Sequence, residues 1–102
     1  MDKVYIFFEN YSYKLVIVSI KSKLASIDER VIHITEEDVN RFVDIINNLD
    51  NKNSGNITDP VRFSIVIKSE NDTKIIDRTS NTCKKFGELN KWIGDMYDRW
   101  YY

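Results

Sequence analysis

Apolar residues fall at Val39, Phe42, Val43, Ile46 and Leu49, and then, past Pro60, at Val61, Phe63, Ile65 and Ile67. The first set repeats at the three- and four-residue spacing of one helix face. The second repeats at the two-residue spacing of a strand with one buried side. A chain that changes period in this way has to pack helix against sheet, and the flanking segments say how much of each it holds.

Val4-Tyr5-Ile6-Phe7-Phe8 and the run from Tyr13 to Ile20 are rich in β-branched and aromatic residues and read as two strands. Glu9-Asn10 breaks them, and Asn10 tolerates the left-handed backbone that a tight hairpin needs. A polar stretch from Lys21 to Glu29, anchored by Leu24 and Ile27, leads to a third short strand from Val31 to Ile34. Thr35 then opens a helix: its hydroxyl can accept from the Asp38 N–H, and Glu36, Glu37 and Asp38 lie in the first turn, where the helix dipole favours anions. Glu37, Asn40, Arg41, Asp44 and Asn48 point away from the apolar face. The segment 50–56, Asp-Asn-Lys-Asn-Ser-Gly-Asn, is loop-like. Beyond the alternating strand, a turn at Glu70-Asn71-Asp72 leads to a returning strand from Lys74 to Arg78.

Ser80-Asn81-Thr82 can cap a second helix that runs to about Trp100, with Phe86, Leu89, Trp92, Ile93, Met96, Tyr97 and Trp100 on one stripe. Lys84, Glu88, Lys91, Asp95 and Arg99 cover its back in alternating signs, as on a solvated face. The predicted order is βββαββα. It describes an α+β fold, with an antiparallel sheet of about five strands and two amphipathic helices packed on one face. The alternative is that the 51–60 loop divides two sub-sheets. At 102 residues there is length for a single domain, 1–102, and one modest core.

Composition then narrows function by exclusion. Fifteen basic against sixteen acidic residues leave a net charge of −1, without the basic footprint of a dedicated nucleic-acid binder. Arg62, Ser64, Val66 and Lys68 could touch phosphates from one strand face, but that face lacks aromatics to stack bases, so a nucleic-acid partner is not expected. No apolar run approaches a membrane span, the N-terminus lacks a secretory leader pattern, and Cys83 is the only cysteine, so a cytoplasmic protein with no intramolecular disulfide is expected. Heavy use of Ile, Asn and Lys, whose codons are AT-rich, points to a low-GC bacterium or one of its phages.

The chemistry-bearing residues do not assemble into a motif. His33 is the only histidine and lies within a strand-like run, with nothing local to pair it with Cys83. A calcium-loop reading that starts at Asp50 fails, because Lys52 takes the third position and Val61 the twelfth. Gly55, Gly87 and Gly94 cannot build a phosphate loop at the required spacing. We therefore expect no enzyme activity, no metal and no cofactor.

Two features exceed what a plain fold needs. The first two strands are apolar on both faces, so with both helices on one side, Tyr5, Phe7, Tyr11 and Tyr13 are expected partly exposed on the other. The chain then ends in Tyr101-Tyr102, available to dock on the sheet edge or to be displayed. Gly87 and Gly94, seven apart in a helix, suggest close approach of another backbone on the flank of the stripe.

In size and build the chain resembles the small α+β proteins that bacteria and phages use as intracellular inhibitors, such as immunity proteins and blockers of host defence. That resemblance implies a partner protein, a toxin or a host-defence protein, whose working surface is blocked sterically. Tyr5, Phe7, Tyr11, Tyr13, Tyr101 and Tyr102 are candidate contacts, with Glu37 and Asp44 as acidic steering residues. The alternative is a homodimer or other homo-oligomer formed through the tyrosine-rich sheet face.

Overall fold

A computed structural model describes residues 1–9, 11–49, 61–79 and 85–99. Strand β1 (Lys3–Glu9) pairs with β2 (Leu15–Ser19), which pairs with β3 (Leu24–Ile27), which pairs with β4 (Arg30–His33). Helix α1 (Glu36–Asn47) follows, then β5 (Arg62–Lys68), β6 (Thr73–Thr79) and α2 (Phe86–Arg99). All strand pairings are antiparallel, and the six strands form one sheet in the order β4-β3-β2-β1-β5-β6. The α+β architecture stands, but the strand count is six rather than five. The alternative of two sub-sheets is excluded, because β5 pairs with β1 along all seven residues of each.

The extra strand, β3, lies in the stretch read as a polar connection. Its alternation is short but complete: Ala25 and Ile27 are fully buried, while Leu24 and Ser26 are only partly so. Asp28 and Glu29 then close a two-residue hairpin at φ 53° and 112°. Such turns require positive φ at both positions and favour Asn-Gly, so Asp-Glu conceals the signal. The Asp28 carboxylate supports the turn by accepting from the backbone N–H groups of Lys14 and Leu15, at 2.8 and 2.9 Å.

One side of the sheet is core. Val4, Ile6, Val16, Val18, Ala25, Ile27 and Ile65 are fully buried there, beneath Phe42 of α1 and Leu89, Trp92, Ile93 and Met96 of α2. The Phe42 and Trp92 rings meet with centroids 4.7 Å apart, and the Trp92 indole N–H donates to the Asp38 carbonyl oxygen at 3.1 Å. That bond satisfies a polar group that burial would otherwise make costly.

Thr35 caps α1 as expected, with its hydroxyl accepting from the Asp38 N–H, and Asp38 returns the bond by accepting from the Thr35 N–H. Asp38 is nonetheless buried, because Arg99 from α2 grips its carboxylate with both terminal guanidinium nitrogens, one at 3.0 Å. Arg41 similarly reaches Asp95 of α2 at 3.2 Å. The charges expected to form a solvated back on α2 thus in part join the two helices.

Gly87 and Gly94 correct another expectation. A Cβ built on either would meet no described atom within 4 Å, so no described part of this chain approaches them closely. Cys83, Trp100, Tyr101, Tyr102 and the 50–60 segment lie outside the described residues.

Candidate functional site

Both helices pack on one side, and among the described residues no element covers the other face of the sheet, which is the feature to account for. Its composition follows from register. Tyr5 pairs with Ile17, Ile17 with Ser26 and Ser26 with Val31; in the other direction Tyr5 pairs with Val66 and Val66 with Ile75. Since paired residues share a face, Val31, Ser26, Ile17, Tyr5, Val66 and Ile75 form one row across all six strands, apolar or aromatic at every position but Ser26. Val31 and Ile75, at its two ends, are 57% and 66% exposed. Phe7, one row along, is 46% exposed and pairs with Leu15 and Ser64. Single exposed apolar side chains are ordinary, but a continuous row across a sheet is a patch.

Charge frames the row unevenly. On one side, Lys3 and Lys68 stand directly opposite each other on β1 and β5, with their ammonium groups 5.8 and 5.4 Å from the centre of the Tyr5 ring. On the other side, in the Phe7 row, stands Asp77, whose carboxylate accepts from the Ser64 hydroxyl at 2.5 Å, and past that row stands Glu9 opposite Arg62. At the β2–β3 end of the face a cleft of about 780 Å³ opens, floored by Leu15 and Ile17 and walled by Lys14, Asp28, Glu29 and Tyr97.

The sequence-predicted contact residues divide. Tyr5 and Phe7 lie on the uncovered face, as expected. Tyr11 and Tyr13 do not: they sit in the β1–β2 connection beyond the end of β1, and turn to the helix side. The Tyr11 ring packs on Phe8 and Phe86 with centroids 4.5 and 5.9 Å away, and its hydroxyl donates to Asn90 of α2. Burial, aided by the neighbouring Tyr13, pushes the Tyr11 phenol up to about 12. Tyr13 meets Tyr97 of α2 at 4.9 Å, and Tyr97 in turn carries the Arg30 guanidinium over its ring at 4.5 Å.

Glu37 and Asp44 are exposed on α1, in the helix layer rather than on the uncovered face. They do not join Tyr5 and Phe7 in one patch. Tyr101 and Tyr102 fall outside the described residues.

Val31, Val66 and Ile75 were missed as candidates. Each is visible as a strand residue, but only the strand order brings them into line with Tyr5. Register also sets Lys68 beside the Tyr5 ring and Arg62 opposite Glu9, which the β5 sequence alone could not reveal.

Among the described residues, no group of three or more His, Cys, Asp or Glu side chains gathers as a metal site, and no helix is long and apolar enough to cross a membrane. No protein-family model, curated protein or solved structure matches the chain.

Proposed function

We propose that the chain is a small cytoplasmic inhibitor without catalytic activity of its own, which binds another protein through the uncovered sheet face and blocks that protein's working surface by its bulk. The partner class is a toxin or a host-defence protein. The observation that carries this reading is the row from Val31 to Ile75, apolar or aromatic at all positions but Ser26 and framed by charge on both sides. Specific interfaces share this pattern of an apolar, aromatic centre with a polar rim. A rigid antiparallel sheet loses little conformational freedom when it docks, so its contacts are not spent on ordering itself.

The test is affinity capture from host lysate, nuclease-treated, with the tagged chain and its Ile17→Lys/Ile75→Glu variant side by side. One protein recovered in equal amount with the wild type and lost with the variant is the expected result. Recovery of the same protein by both would move the binding surface elsewhere. Tyr5 between Lys3 and Lys68, with Phe7 and Arg62 further along the same face, also gives the face the parts of a base-stacking platform. Fluorescence anisotropy with labelled single-stranded oligonucleotides separates that reading. Micromolar binding abolished by Arg62→Glu/Lys68→Glu would replace the protein partner with a nucleic acid.

A further inference from the structure

The uncovered face is matched to a copy of itself. We infer that, when no target is bound, two copies of this chain close their sheet faces on each other about a two-fold axis that runs along the Val31–Ile75 row. The inference rests on the face proposed above as the docking surface, and adds that self-association guards it.

Symmetry makes the argument specific. In a two-fold contact, every residue on the axis meets its own counterpart, so a charge there would face itself. The row from Val31 to Ile75 holds no charge at any of its six positions. Residues off the axis swap sides. The row of Lys3 and Lys68 in one copy therefore lies over the row of Phe7, Ser64 and Asp77 in the other, with Glu9 one step further along β1. Lys3 is set over the exposed Phe7 ring and Lys68 over Ser64, one strand away from Asp77, twice over. The other in-plane choice, an axis parallel to the strands through β1, would set Lys3 on Lys3 and is disfavoured by charge.

The same arrangement accounts for a local anomaly. Like charges directly opposite on neighbouring strands are unfavourable, yet Lys3 and Lys68 are so paired. The Phe7 ring and the diagonal Asp77 carboxylate of a second copy would offset their repulsion. Area is also sufficient. Six strands at the usual spacing and about 20 Å of strand length present on the order of 550 Å² per copy, or about 1,100 Å² in total, close to the lower bound for a specific contact. Sheets that pack face to face with strands nearly aligned, as this axis requires, are a common solution. A contact of that size is consistent with micromolar, reversible association, which a target can displace.

Sedimentation equilibrium of the full chain from roughly 5 to 200 µM tests this. A mass of twice 12.1 kDa at the upper end, falling towards 12.1 kDa on dilution, is expected. Ile75→Glu, at a position exposed in the single chain, should abolish the dimer with an unchanged circular dichroism spectrum. Lys3→Glu/Lys68→Glu should weaken it about tenfold. Adding Asp77→Lys should restore part of it, because the two-fold brings Asp77 of one copy within one strand of position 68 of the other. A single-chain mass across the whole range overturns the inference and leaves the docking face open to its target. A dimer indifferent to Ile75→Glu, or one whose charge reversal is not rescued, shows that the chain associates by another surface, and equally overturns it. Failure of the docking reading itself is scored separately, by capture of one partner with both wild type and the Ile17→Lys/Ile75→Glu variant.

Discussion

The two faces of the sheet are built from similar rows and put to different use. On the helix side, Arg30, Ile27, Val16, Ile6, Ile65 and Ile76 run across the six strands; on the other side run Val31, Ser26, Ile17, Tyr5, Val66 and Ile75. Each row has one polar member, so composition does not tell the faces apart. What differs is cover. Ile6, Ile27 and Ile65 have no exposed surface, whereas Val31 and Ile75 keep more than half of theirs. The helices cover one of two nearly equivalent surfaces, and the surface left over is the one proposed to bind. Neighbouring residues of one strand should therefore respond to substitution in opposite ways.

The largest expected effect is in the covered face. Ile65→Ala removes a fully buried side chain from under the helices and should cost about 2–5 kcal/mol, read as a lower urea midpoint at unchanged slope. Trp92→Ala should cost about as much or more, since it removes the largest fully buried side chain of the core. A loss at Ile75→Ala comparable to that at Ile65→Ala would break the comparison, because it would mean the open face is buried in the single chain.

Next in size is the bond between helices that keeps the cover in place. Burial, the largest influence on Asp38, raises its carboxyl, but hydrogen bonds from Arg99 and Thr35, together with the guanidinium charge, outweigh burial and hold it at about 2. The Arg99 guanidinium is correspondingly held above its ordinary value, chiefly by its hydrogen bonds to Asp38. A carboxyl whose folded value lies below its unfolded value stabilises the fold above the unfolded value, and that contribution is lost as pH falls. Stability should thus decline between about pH 4 and pH 2, by an amount tempered by the exposure of the Arg99 partner. Asp38→Asn should flatten the decline, and Asp38→Ala should cost about 2 kcal/mol at neutral pH by removing cap and ion pair together. An acid limb of the same size in Asp38→Asn would assign it to other carboxylates.

Smaller, and of opposite sign, are the effects on the outer flank of the cover. Gly94→Ala and Gly87→Ala place a methyl where no described atom lies within 4 Å, and should each stabilise α2 by up to about 1 kcal/mol. Glu29→Gly should also stabilise, by about 1 kcal/mol, because Glu29 holds φ 112° in a turn that glycine adopts without strain. Thermal unfolding midpoints read all three, and a loss at Gly94→Ala would show that something packs on that flank.

The helices were legible because their signals are local: Thr35, the acidic first turn and the three–four spacing are all within reach of one another in the sequence. Strand β5 was legible for the same reason. Strand β3 was not, since four residues give too few alternations to stand out and Asp28-Glu29 is an unusual hairpin pair. The uncovered face was half legible. Tyr5 and Phe7 could be assigned to it from apolar residues on both sides of β1, but Tyr11 and Tyr13 could not be assigned to the helix side, because the end of β1 sets that and the strand pattern runs on past it. Val66 and Ile75 needed the β1–β5 and β5–β6 registers, which are contacts between distant parts of the chain. Asp38 was read as a dipole partner and Arg99 as a solvated charge. Each reading was reasonable locally, and only helix packing joins them.

The smallest expected effect on stability is the sharpest test of the comparison. Val31→Thr and Ile75→Thr keep the β-branched shape that suits a strand and change only the polarity of side chains already more than half exposed. Solvent bears on these side chains in both folded and unfolded states, so the lost transfer energy nearly cancels, and the double variant should unfold within about 0.5 kcal/mol of the wild type. Measured below the concentration at which copies associate, its urea midpoint should be indistinguishable. The same two substitutions remove both ends of the apolar row and should weaken binding of whatever the face accepts. A variant that keeps its stability and loses its partner would show that the row exists for contact rather than for folding. A variant that loses both would return the row to the core, and with it the claim that the sheet has a free face.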